Sequence, residues 1–216
     1  MKRVLRQNFC KLFAFSALLT FTLIPLRADT VTFDLLPPPG NAIQSGTVAT
    51  QGFNFTSDSF HIIDQPALCA GGCVDDGSQY LAVAGPSLDS PVVVTTAGGQ
   101  LFSVFGFDAA KLFLTQGGLD GNPNADSLVL LGTLSGGATV TTSFVLPVEG
   151  SFSTFSLSGF TNLTSLTIAG TGGGSTDASW GVDNLAVSAV PEPSTFVLVG
   201  CVFWGALARR RLLDRR

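Results

Sequence analysis

The stretch SLVLLGTLSGGATVTTSFVL, residues 127–146, holds two runs of the same kind on either side of a glycine pair. Residues 127–134 and 139–146 are rich in β-branched and large apolar side chains, which suit a pleated, half-buried surface. Ser135-Gly136-Gly137 between them has the composition of a turn. Working outward, similar runs return as VVVTT (92–96), FSVFGF (102–107) and KLFLT (111–115) upstream, and as STFSLSGF (153–160) and SLTIAG (165–170) downstream. FNF (53–55) and a first strand at Val31–Leu35 extend the series. In STFSLSGF, Phe155 and Leu157 fall on one face and Thr154, Ser156 and Ser158 on the other, the period of a strand with one buried side. No long window shows apolar residues at helical spacing. Glycine-rich AGG (97–99), QGGLDGNPNAD (116–126) and GTGGGS (170–175) punctuate the runs at intervals that fit antiparallel connections. About ten short strands so arranged predict an all-β fold, an antiparallel two-sheet sandwich of jelly-roll-like form. Twelve phenylalanines between residues 33 and 160 supply the apolar bulk to fill it. The prolines of PPPGNAIQSGTVAT (37–50) mark that segment as an irregular lead-in.

The two ends differ from this body, and the chain divides into 1–28, 29–189 and 190–216. Lys2, Arg3, Arg6 and Lys11 precede an apolar stretch from Leu12 to Leu26, and Leu26-Arg27-Ala28 offers a small residue for cleavage after Ala28. This is the pattern of a secretory signal peptide. Between the ends, residues 29–190 hold thirteen acids and a single base, Lys111, a net charge of −12. Such a surface repels nucleic acid and anionic lipid, and attracts divalent cations weakly.

Cysteine usage agrees with export. Cys10 lies in the signal and Cys201 in the apolar tail, which leaves Cys69 and Cys73, in CAGGC, as the two cysteines of the body. A disulfide between them is expected in an oxidising compartment. The spacing lacks the two-residue gap of a thioredoxin-type site and a second ligand pair for zinc. Closing so short a loop stabilises by only about 2 kcal/mol in the chain-entropy model, so the bond shapes a loop.

Catalytic arrangements are hard to assemble, and a non-enzymatic protein is expected. His61 is the one histidine, and no G-x-S-x-G accompanies it. Asp75 and Asp76 are adjacent, so on a strand they would face opposite ways, and DDGS reads as a turn. In DGNPNAD, Asp120, Asn122, Asn124 and Asp126 alternate as calcium-loop oxygens do. Ala125 and Leu131, however, stand where an EF-hand needs Gly and Glu, so a metal-free polar loop is the favoured reading.

The chain ends in VPEPSTFVLVGCVFWGALARRRLLDRR, residues 190–216. Pro191-Glu192-Pro193 imposes an extended backbone. Phe196 to Ala208 is an uncharged run that predicts a transmembrane helix about 20 Å long. Arg209, Arg210, Arg211, Arg215 and Arg216 form a basic stop on the cytoplasmic side. This order of parts resembles the C-terminal sorting signal of PEP-CTERM proteins. The resemblance implies export through the translocon, transient residence in the inner membrane, and processing by an exosortase at Pro191, Glu192 and Pro193. It further implies a setting at the cell surface or in an extracellular polysaccharide matrix. Just before it, ASWGVDNLAV (178–187) is similar to the closing strand of many PEP-CTERM bodies and of jelly-roll carbohydrate-binding modules. That resemblance makes Asp183, with Asp34, a candidate pair of ligands for a structural calcium; otherwise Asp183 and Asn184 make local hydrogen bonds at a strand turn. The expected function is a non-catalytic surface or matrix component, with a carbohydrate-binding module, calcium-assisted, as the alternative.

Overall fold

The structure is a computed structural model that describes residues 29–36, 44–63, 72–83, 91–114, 124–148, 150–172 and 178–189. Eleven strands follow in chain order: β1 Asp29–Val31, β2 Gln44–Thr50, β3 Phe53–Ile63, β4 Tyr80–Val83, β5 Val92–Thr96, β6 Phe102–Lys111, β7 Ser127–Leu134, β8 Thr139–Val145, β9 Ser153–Ser156, β10 Leu163–Thr171 and β11 Trp180–Ala189. No helix occurs among the described residues. The strands run side by side in the order β8-β7-β10-β5-β3-β4-β11-β6-β9, with β1 added to β11 and β2 to β3. A single pairing of Leu163 with Phe102, between β10 and β6, draws this ribbon round on itself. The long β3 makes the corner: residues 53–56 pair with β5, and His61, Ile62 and Ile63 pair with β4.

The hairpin read first in the sequence is regular, pairing Ser127 with Val145 through to Thr133 with Thr139 with no shift in register. Gly137, at φ 83°, turns it, a conformation cheap only without a Cβ. Three boundaries differ from expectation. The first strand is Asp29–Val31, not 31–35, because a turn closed by the Leu36 amide on the Phe33 carbonyl (3.0 Å) ends it. Residues 44–50 of the proline-headed segment form β2, because the prolines stop short of it and QSGTVAT pairs along β3. KLFLT is not a strand of its own: β6 runs on to Lys111, and Phe113 makes an isolated bridge to Cys73.

The phenylalanines do fill the interior. Phe33, Phe53, Phe55, Phe60, Phe102, Phe107 and Phe160 lie in one large core with Trp180, Leu128, Leu130, Leu166 and Ile168. Edge-to-face contacts such as Phe33 on Phe55, with centroids 4.9 Å apart, fix their orientations. A second, smaller core contains Ile63, Cys73, Val74, Tyr80, Ala82, Ala110, Leu112 and Phe113, with Phe152 against it. It lies on the opposite side of β4, β11 and β6, since the alternating neighbours of its members, such as Leu81 and Ala109, belong to the large core.

Candidate functional site

The site begins with an irregularity in β11. Its pairing with β6 shifts register between Asp183 and Ala186, and Asn184 sits at φ 51°, the left-handed region that Asn tolerates better than most residues. The bulge changes which residues look inward. Val182 and Leu185 both enter the large core, three positions apart, and Asp183 and Asn184 are left outside it. Opposite them on β6 stands Asp108, paired with Asp183 in the ladder, and the Asn184 amide donates to the Asp108 carboxylate at 2.9 Å.

Asp183 is nevertheless 0% exposed, covered by the segment that leads into β4. In that segment Asp75 accepts from the Gly77 amide and Asp76 from the Ser78 amide, both at 2.9 Å, so DDGS is a turn held by its own carboxylates, as the sequence indicates. The turn aims Ser78 and Gln79 at two further acids. The Ser78 hydroxyl lies 3.1 Å from Asp183 Oδ2 and 2.9 Å from Asp76 Oδ1. The Gln79 amide nitrogen donates to Asp34 Oδ1 at 2.9 Å. With its side-chain nitrogen assigned toward them, Gln79 also donates to the carbonyls of Phe33 (2.7 Å) and Leu36 (3.2 Å), which ties the turn after β1 to the start of β4. Asp34 and Asp183, distant in sequence, are thereby served by neighbouring residues.

The electrostatics are unfavourable for charge. Burial, together with Asp76 and Asp34, outweighs the backbone N–H of Asn184 and the Ser78 hydroxyl and pushes the Asp183 carboxyl up from 3.8 to about 7. One hydroxyl proton cannot serve two ionised carboxylates. A protonated Asp183 solves this by donating to Ser78 Oγ, which in turn donates to Asp76. Even so, Asp183 Oδ1 has no hydrogen-bond partner. The same burial and the charges of Asp76 and Asp75 hold the Tyr80 hydroxyl in its protonated form, donating to the Val74 carbonyl at 2.6 Å.

A buried, orphaned carboxylate oxygen with a second carboxylate nearby suits a hard cation such as calcium. Among the described residues no three His, Cys, Asp or Glu side chains form a group able to hold a metal, so hydroxyl and carbonyl oxygens would have to complete its shell. In the other cation candidate, one of the four oxygens is already engaged. Asn124 is buried, and its side-chain amide clamps both backbone groups of Phe113, each at 2.8 Å, while Ala125 bonds to Ser179. Asp120 and Asn122 lie outside the described residues. His61 sits within β3, opposite Ala82. Trp180 and Tyr80, the aromatic residues best suited to stack on a sugar ring, are each 1% exposed.

The remaining sites read from the sequence, Ala28, Cys69, Pro191, Glu192, Pro193 and the five C-terminal arginines, lie outside the described residues, as does the expected transmembrane helix. Cys73 is buried beside Phe113. Among the described residues no helix is long and apolar enough to cross a membrane.

β11 ends at Ala189, where the tail begins. Residues 189–211 match the PEP-CTERM protein-sorting motif. The tail after the last strand is therefore similar to a PEP-CTERM sorting sequence. No curated protein matches the chain. Among solved structures it is similar to the Stig cyclase Fisc from Fischerella sp. TAU, at 12% identity over 76% of this chain and 99% of that one, with a TM-score of 0.45. It is similar also to CBM29_1, a family 29 carbohydrate binding module from Piromyces equi, at 8% identity over 68% and 89%, with a TM-score of 0.39. A third is the enzymatically active domain of bacteriophage CBA120 tailspike protein 4, at 13% identity and a TM-score of 0.34; the match takes in 74% of this chain and spans only 20% of that one.

Proposed function

We propose that this chain is an exported exosortase substrate whose body, residues 29–189, serves without catalysis at the cell surface or in the extracellular polysaccharide matrix. The observation that carries this reading is the PEP-CTERM match over residues 189–211, which begins on the last residue of the last strand. In this scheme the signal is cleaved after Ala28 and the translocon passes the acidic body outward. The apolar run and Arg209, Arg210, Arg211, Arg215 and Arg216 hold the precursor in the inner membrane, and exosortase cuts near Pro191-Glu192-Pro193. A disulfide between Cys69 and Cys73 shapes the short CAGGC loop, and the sheet ribbon divides into the two layers of a jelly-roll-like sandwich. The turn-bound carboxylates of Asp75 and Asp76 support a role without catalysis. Intact-mass analysis of the protein recovered from its host tests the scheme: both ends are expected to be missing, and Glu192→Ala should retain the tail. Recovery of the full-length chain from the cytosol overturns it.

One observation favours the second reading, a calcium-assisted carbohydrate-binding module: the buried, orphaned Asp183 Oδ1, whose carboxyl feels the charges of Asp76 and Asp34. Since Trp180 and Tyr80 are buried, such a module would hold sugar by polar, cation-bridged contacts. Calcium should then raise the melting temperature of the wild type and leave Asp183→Asn unmoved, and a chelator should release bound polysaccharide. Equal melting curves with and without calcium overturn this second reading.

A further inference from the structure

Even drawn round on itself at β10 and β6 the ribbon leaves edges, and among the described residues three of the four are blunted. β1 and β9 are three and four residues long. β2 is broken by a shift between Gln44 and Gly46, where Gly46 takes φ 102°. Short strands and bulges are two of the ways by which proteins prevent edge pairing. β8, Thr139–Val145, has no such device: it is seven residues long, in unbroken register with β7, and contains no charge, proline or glycine.

The ladder also shows which of its backbone groups are unused. Leu134 donates to Ala138 and Leu146 donates to Asp126, so the hydrogen-bonded pairs with β7 fall at 138, 140, 142, 144 and 146. Thr139, Thr141, Ser143 and Val145 therefore direct their N–H and C=O groups away from β7. These four are the exposed residues of the strand, Val145 at 80%, and among the described residues no hydrogen bond reaches their outer side.

We infer that β8 is a self-association edge, pairing antiparallel with the β8 of a second copy about a two-fold axis at Thr142. In that register Thr139 meets the partner copy's Val145, and Thr141 meets its Ser143, so all four free positions are matched and about eight ladder hydrogen bonds form. The occupant is a second copy because length, register and lack of charge are self-complementary, and hydroxyl faces hydroxyl at the centre. The force against it is the net charge of −12 on residues 29–190, which salt screens beyond about 10 Å at moderate ionic strength. Association should therefore strengthen with salt, opposite to a contact held by ion pairs.

Sedimentation of the protein recovered from its host, at about 0.05 M and about 0.5 M salt, tests this. Dimer is expected to grow with salt. Thr141→Pro removes an N–H that β7 does not use and should weaken association at least tenfold while keeping the native melting transition. Ser143→Lys, which sets two cations across the axis, should do the same if the proline variant fails to fold. Thr142→Cys should cross-link copy to copy under mild oxidation. A monomer at both salt concentrations overturns the inference, as does a dimer that survives both edge variants.

Discussion

The two faces of β11 answer different demands within a few residues. On one side Trp180, Val182 and Leu185 are sealed in the large core among aromatic and aliphatic neighbours. On the other, Asp183 is equally buried but surrounded by oxygen: Ser78, Asp76 and, beyond them, Asp34. The bulge at Asn184 makes the two compatible, because without the extra residue Asp183 and Leu185 would share one face. Burial alone therefore does not define a core. The inner face is stabilised by removal of apolar area from water, and the outer one holds a carboxylate that is stable there only when protonated or partnered.

The inner side breaks most severely. Trp180→Ala is expected to cost about 3–5 kcal/mol, because the vacated volume is walled by strands that cannot collapse into it. Denaturant unfolding checks this, and a loss below about 1 kcal/mol would mean that the side chain is not packed as described. Gly170 belongs to the same contact: a Cβ there would lie 2.4 Å from Trp180 Cδ1 and 3.0 Å from the Ala178 carbonyl.

The outer side is next, and its signature is pH. With Asp183 at about 7 in the folded chain and 3.8 as its ordinary value, the folded state retains a proton that the unfolded state releases between those limits. Stability is therefore full below about pH 4, falls as pH rises, and levels off above about 7. The total loss is on the order of 4 kcal/mol. In chelator, Asp183→Asn should flatten this slope and be more stable than wild type near pH 8. An unchanged slope would assign the pH dependence to other groups.

Between the faces stands the bulge. Asn184→Ala should cost about 1–2 kcal/mol through the left-handed backbone, in addition to the lost hydrogen bond to Asp108. Asn184→Gly keeps the backbone free and loses only that bond, so it should be the milder of the two by chemical denaturation. If glycine proves the worse substitution, the amide contact and not the backbone holds the bulge.

How far the sequence discloses this depends on the range of the cause. β5, β7, β8 and β10 are legible because their apolar runs and flanking glycines are local signals. β2 is not, since QSGTVAT is small and polar and becomes a strand only by pairing with β3, and the four-residue YLAV of β4 is too short to declare a period. Asp183 and Asp34 stand out only through likeness to jelly-roll modules. Ser78 and Gln79, which connect them, leave one local trace, the turn-forming DDGS directly before YLAV. Asn124 reads as a calcium-loop residue because its actual partner, the backbone of Phe113, is brought near by the path of β6 and the bridge to Ser179.

The smallest effect is expected at Asp76. Asp76 is exposed and caps its own turn, so Asp76→Asn keeps an acceptor for the Ser78 amide while deleting one negative charge near Asp183. Solvent and salt screen that charge, and its influence on Asp183 ranks below burial. The Asp183 midpoint, followed by carboxyl NMR in chelator, should move down by a fraction of a pH unit, with the fold unchanged. A drop to the ordinary carboxylate range would mean that like-charge repulsion, rather than loss of water, keeps Asp183 protonated. In that case the outer face would be better described as a cluster of competing charges than as a carboxylate sealed away from water.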